Sequence, residues 1–403
     1  MLKLDALAKS IALATLTMCA TASVGFAATP STMAVSAASA AATPLSASAQ
    51  RVQAMLPKNW SSNVSNAKAR LGIPETEWSG MVERAINPSD YQCSNTAMDD
   101  WIDGLDVSDL IGAISGIYYA TGDLDFAYSA VLDFAQYDAM LFGYESKANR
   151  FGRNGEYTQL LTAEMKDLRR FWDVDGENVQ LVPMHGSDVY GSVDRLARLI
   201  QNAYIGVDDE LANLLGQIVY DNVQANPGML ANGGHPYLSL NAFAVGSSGQ
   251  AGGAILMGDG IMQAMSAVGL GDVAPRAILG HEFGHHVQYQ KNLFASSLPT
   301  AAERTRRTEL MADSFSTYFL THARGESLNA KRLLPSLQSF YQIGDCGFTS
   351  SGHHGTPNQR LRSATWGSDV ADQARPQGHI LPASTFDAMF EQKLPEFVAP
   401  DAH

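Results

Sequence analysis

Within the stretch "AILGHEFGHHVQYQKN" (residues 277–292), His281, Glu282, His285 and His286 fall in six consecutive positions of a chain that has ten histidines in all. On a helix, His281 and His285 are four residues apart and project from one face about one turn apart, a spacing at which two imidazoles grip a single zinc ion. Glu282, one residue round, can reach a water on the open side of the metal and act as its general base. The rest of that helix surface ("AIL", "F", "V") is apolar. Two histidines there without a partner would be half-buried at a cost.

A catalytic zinc takes three protein ligands and keeps one position open. The longer metzincin form of the motif would need glycine at 288 and histidine at 291, where this chain has Gln288 and Lys291. A glutamate on a following helix is the alternative. "RTELMADSF" (307–315) offers Glu309, with Asp313 one turn later on the same face. Glu309 can complete the zinc shell, and Asp313 can accept the outer N–H of a liganding histidine and fix its tautomer. Two carboxylates at that spacing repel each other, so a nearby cation accounts for them better than a surface pair does. One zinc per chain is expected.

The elements that must hold these residues are mainly helical. Asp272 reads as an N-cap and Pro275 as a first-turn residue of a zinc-motif helix running to about Asn292. Helices follow at about 300–324, 329–342, 356–372 and 384–393. Ahead of them a helix at about 208–222 leads into "PYLSLNAFAVG" (236–246), which alternates like a strand. "GGAILMGDGIMQAM" (252–265) begins as a strand and turns into a helix. From 51 to 205 the apolar residues recur at helical spacing, and the aromatic stripe Tyr118, Tyr119, Phe126, Tyr128 and Phe134 reads as core. His185, His286, His322 and His353 read as non-ligands. The fold class expected is α+β and mostly helical: a domain with a small sheet and an HExxH helix (206–403), preceded by a helical region (51–205).

The chain has 403 residues, 45% of them hydrophobic and 17% charged, with a formal net charge of −14. A nucleic-acid binder would need a basic face, and this balance excludes one. The short "ERTRR" run (303–307) reads as a solvated helix face. At the N-terminus, Lys3 and Lys9 precede "IALATLTMCATASVGFA", which ends in small residues; residues 1–27 read as an export signal. Met18 before Cys19 argues against a lipid anchor. Residues 28–50 are almost entirely Ala, Ser, Thr and Pro and read as a tether. No later segment has the length of apolar sequence that a membrane span needs. Cys93 and Cys346 remain, and an oxidising compartment would allow a disulfide between them.

"LGHEFGHHVQ" followed by "ELMADSF" resembles the gluzincin metallopeptidases with an HExxH…ExxxD arrangement. The resemblance is nearest to the predicted neutral zinc metallopeptidases and more distant to the CAAX-prenyl and Oma-type proteases. It covers about residues 205–370, and "HHGTPNQR" (353–360) is similar to a later histidine–arginine segment of that group. The resemblance implies zinc on His281, His285 and Glu309, with Glu282 as base. It implies a substrate-pairing edge strand at Asn241, Ala242, Phe243 and Ala244 running to Gly246, and His354 and Arg360 facing the developing oxyanion. It departs from the membrane-embedded branch, whose members have transmembrane helices. The reading is an exported zinc endopeptidase with a peptide or protein substrate. Two other readings stay open: an inactive, zinc-stabilised binding module for exported proteins, and a zinc aminopeptidase.

Overall fold

The structure is a computed structural model and describes residues 46–73, 96–145, 150–246, 253–345, 353–374 and 378–401. The expected export signal, most of the tether, Cys93 and Cys346 lie outside those residues. In chain order the helices are α1 (Ala47–Met55), α2 (Trp60–Ser65), α3 (Ala67–Leu71), α4 (Ala97–Gly104), α5 (Ser108–Thr121), α6 (Leu124–Leu132), α7 (Phe134–Phe142), α8 (Thr158–Phe171), α9 (Val193–Ala203) and α10 (Asp209–Gln224). They continue as α11 (Asp259–Ala267), α12 (Ala274–Lys291), α13 (Ala301–Thr321), α14 (Ala330–Gln342), α15 (Pro357–Ala374) and α16 (Ala383–Phe397). Three strands, β1 (Gln180–Met184), β2 (Ala242–Val245) and β3 (Ala254–Gly258), form one sheet in the order β1-β3-β2. β1 runs parallel to β3 and β2 antiparallel to it.

The sheet is a wall between two hydrophobic cores, and the period-two alternation of strand side chains assigns residues to each. Val182, Met184, Phe243 and Leu256 face the first core, built mainly from α1 to α3, α5 to α7, α9 and α10. Ile255 and Met257 face the second, which α4, α8 and α11 to α16 complete. A strand covered on both faces needs no polar side, so β3 reads "AILMG" without a break.

Several sequence expectations shift. α1 starts inside the expected tether: Ser46 caps it and Ala49 is buried. The two cores do not part at residue 205, because α8 and β1 from before it reach the second core while α10 from after it packs into the first. In the aromatic stripe, Phe126 and Phe134 are fully buried, whereas Tyr119 is 47% exposed. "PYLS" forms a 3-10 turn, so the strand begins only at Ala242. Asn241 precedes it, and its carbonyl accepts the Gly258 N–H at 3.0 Å. Val273, not Asp272, is the N-cap of α12. The N–H groups of Val273 and Ala274 both go to the Leu270 carbonyl, so the preceding turn supplies the start and no side-chain cap is required. "ERTRR" is not a solvated face: Arg306 and Arg307 are buried. Arg307 pairs with Glu391 on α16 and donates to the Leu293 carbonyl. No helix among the described residues is long and apolar enough to cross a membrane.

Candidate metal centre

α12 and α13 approach closely because their facing positions are small. Gly280 and Gly284 of α12 lie against Ser316 and Ala312 of α13. A methyl group on Gly284 would sit 3.2 Å from the Ala312 Cα, and one on Gly280 would sit 2.6 Å from the Ser316 Oγ. Ser316 uses its hydroxyl to donate to the Ala277 carbonyl, which ties the two helices at the crossing. Thr300 and Glu303 form a capping box that fixes where α13 begins and so where Glu309 falls along it.

At this crossing His281, His285 and Glu309 converge, with their ligand atoms all within 4.8 Å of one another. His281 Nε2 lies 3.2 Å from one Glu309 carboxylate oxygen, and His285 Nε2 lies 3.4 Å from the other. Donor atoms bound tetrahedrally to zinc at 2.0–2.1 Å are about 3.3 Å apart. The spacing fits the metal.

The outer nitrogens decide what the inner ones can do. His281 Nδ1 meets Asp313 Oδ1 at 2.7 Å, and His285 Nδ1 meets Gln288 Oε1 at 2.8 Å. Gln288 is oriented by its own amide, which donates to the Thr308 carbonyl at 2.7 Å. Both Nδ1 atoms therefore carry the proton, and each Nε2 faces a Glu309 carboxylate oxygen. A buried carboxylate facing two ring nitrogens is satisfied by protons on the rings or by a cation held between them. Burial alone would lower the His281 imidazole, but the carboxylates of Asp313 and Glu309 outweigh it and carry it up to about 9. Against the opposing effect of burial, His354, His285 and His281 hold the Glu309 carboxyl well below the usual range.

Glu282 is buried beside the pair, and burial raises its carboxyl above the ordinary value, opposed by the two neighbouring imidazoles. Asp313 is fully buried and receives both Nε and a terminal nitrogen of Arg360 at 2.9 and 2.7 Å. Arg360 gives a further hydrogen bond to the Ile343 carbonyl and is 2% exposed. Its guanidinium pairs with Asp313, and its charge also acts on Glu282. The reason is local. Arg360 lies one turn into α15, which packs on α13, so the buried Asp313 is the nearest anion. His354 does border the centre: its Nε2 is 4.0 Å from Glu309, and its backbone N–H donates to Asp345 at 2.7 Å. His353 gives its ring to the same Asp345 at 2.6 Å.

Three further histidines are engaged elsewhere. His286 donates to the Ala254 carbonyl of β3 at 3.1 Å, which pins α12 to the sheet. His322 caps α13 and contacts the His379 carbonyl. His185, just past β1, pairs with Asp259 at 2.7 Å. In β2 the side chains of Phe243 and Ala244 are buried and those of Ala242 and Val245 half-buried, so the main chain of the strand's outer edge is its principal polar surface. Gln288 and Asp345 were not singled out from sequence. A glutamine three residues after the second histidine was the available signal for the first. Asp345 had none, since its histidine partners lie 8 and 9 residues further along the chain.

The chain was compared with known proteins. Residues 229–300 match the model of peptidase family M48. The match spans β2, β3, α11 and α12, so it includes His281, Glu282 and His285 and stops short of Glu309. M48 is a metallopeptidase family that includes the CAAX-prenyl and Oma-type proteases, the relatives that the sequence placed further off. No curated protein and no solved structure matches the chain. The M48 match ends one helix short of the third ligand candidate, and the geometry of α13 supplies it.

Proposed function

We propose that the protein is an exported zinc endopeptidase. The observation that carries this reading is the convergence of the Nε2 atoms of His281 and His285 on the two oxygens of one buried carboxylate, Glu309. Zinc held there would polarise the scissile carbonyl and acidify a water. Glu282, buried beside the two histidines, would take a proton from the attacking water and pass it to the leaving amine. His354, held by Asp345 at the rim, is placed to donate to the oxygen that gains negative charge. Arg360 holds Asp313 in place, and Asp313 accepts from His281 Nδ1, which leaves Nε2 as the atom that can face a metal.

An extended polypeptide can pair with the outer edge of β2, which no other described strand covers. An edge accepts a chain that continues on both sides, and this favours an endopeptidase over an aminopeptidase. A base beside the metal favours an enzyme over a binding module, which has no use for one. Lys3, Lys9 and the apolar run after them support export.

Metal analysis of the purified protein should return one zinc per chain, and the protein should cleave an unfolded polypeptide internally. Glu282→Gln should retain zinc and folding and lose at least about a hundredfold in rate, the usual worth of a general base. Full activity in that variant would remove Glu282 as the base. Release of single residues from the amino terminus would select the aminopeptidase reading.

A further inference from the structure

Two large aromatic side chains stand in solvent beside the metal centre, and the mechanism uses neither. Tyr289 is 42% exposed and Phe294 37%. They stack on each other with ring centroids 4.7 Å apart. Phe294 in turn stacks over the ring of the ligand candidate His285, at 6.4 Å and an interplanar angle of 21°. The other side of Tyr289 meets the end of β2, where a Cβ placed on Gly246 would be 3.3 Å from the ring. The aromatic surface is therefore continuous from the ligand to the strand edge. It is also fixed in place. Asn292 ends α12 in the left-handed region (φ 55°), and the buried Arg307 clamps the following turn through the Leu293 carbonyl at 2.7 Å.

Exposed apolar rings on a rigid mount lose little conformational entropy when a second apolar group covers them. From this geometry we propose that Tyr289 and Phe294 are a specificity shelf, selecting polypeptides with a bulky apolar side chain beside the scissile bond. This rests on the peptidase reading above. A substrate strand lying along β2 with its carbonyl at the metal must carry one flanking side chain past this surface. Small or charged side chains leave the rings wet. Bulky apolar ones cover them, and the difference is realised in kcat/KM.

The test is cleavage of a mixed peptide library by the zinc-loaded wild type and by a Tyr289→Ala/Phe294→Ala double variant, with the cut ends sequenced. The wild type should prefer Leu, Met or Phe over Ala beside the cut by about ten- to a hundredfold. The double variant should keep its zinc and lose that preference, its kcat/KM on Leu, Met or Phe peptides falling to about that on Ala peptides. Tyr289→Phe should behave as wild type, because the ring and not the hydroxyl makes the contact. As a readout independent of turnover, the Glu282→Gln protein should bind a Leu-containing peptide more tightly than its Ala counterpart, and adding the two alanine changes should erase the difference. A preference that survives in the double variant, or an equal loss on both kinds of peptide, overturns the shelf and leaves the peptidase standing. A zinc-loaded wild type that cuts no peptide overturns both.

Discussion

Gln288 links His285 to the backbone of the neighbouring helix, and this makes it the residue through which ligand orientation can be tested without touching a ligand. In Gln288→Leu the Nδ1–H of His285 loses its acceptor and the ring is free to rotate or change tautomer. Zinc affinity should fall about ten- to a hundredfold, read by competition with a chromophoric chelator. An unchanged affinity would reduce Gln288 to packing. At this scale the sequence was informative where partners sit on one helix or at a short fixed offset. The His281–His285 spacing and the Glu309–Asp313 spacing are of that kind. Arg360 is not: its partner is 47 residues away, and only the docking of α15 on α13 brings Asp313 within reach. Arg306 and Arg307 were misread for a related reason. A run of charges carries no information on depth, and Arg307 is buried because α16 brings Glu391 to meet it.

Between elements, the controlling feature is the contact of Gly280 and Gly284 with Ser316 and Ala312. Gly284→Val should force the helices apart and weaken zinc binding strongly, although residue 284 ligates nothing; Gly284→Ala should have the same effect at smaller size. Metal titration with a check of helical content by circular dichroism separates this from unfolding. Another inter-helix device sits on the far side of α12. Glu164 of α8 is fully buried, with no hydrogen bond to either carboxylate oxygen among the described residues. It faces Arg276 of α12 and Glu326, which pair with each other, and has Asp167 on its own helix. Burial first, then the charges of Glu326 and Asp167, push its carboxyl well above the usual range, with Arg276 opposing. A raised folded-state value means that the favourable protonated state is fully available below the unfolded value near pH 4.5 and is lost as pH rises through the folded one. Glu164→Gln should therefore match wild type near pH 4 and raise the Tm by about 1 °C at pH 8, the shift expected per kcal/mol in a chain of this size. Equal Tm values at pH 8 would mean that Arg276 already neutralises the site. Helical periodicity made the existence of α8, α12 and α13 legible, but not which of their polar residues would be enclosed.

Across the whole molecule, one thin sheet serves two cores, so neither can open without exposing the other's wall. Ile255 and Leu256 are consecutive and face opposite cores. Ile255→Ala and Leu256→Ala should each cost about 2–5 kcal/mol and lower one shared calorimetric transition; two separated transitions would show that the cores melt independently. This arrangement was the least legible part of the fold, since a continuous apolar strand announces burial on both sides without naming what lies there. The register of β1 against β3 also has a consequence in time. It pairs Gln180 with Ala254 in parallel, so the intervening chain must first traverse α9, α10 and β2 before the strand that closes the sheet arrives. Such long-range pairing forms slowly because loop-closure entropy is lost before contacts compensate for it. His286 anchors α12 to Ala254 of that same strand, and the ligand histidines can meet Glu309 only after α12 is seated. Metal capture should accordingly be a late event: refolding from denaturant should begin at the same rate with or without zinc, and the ion should act by slowing the way back.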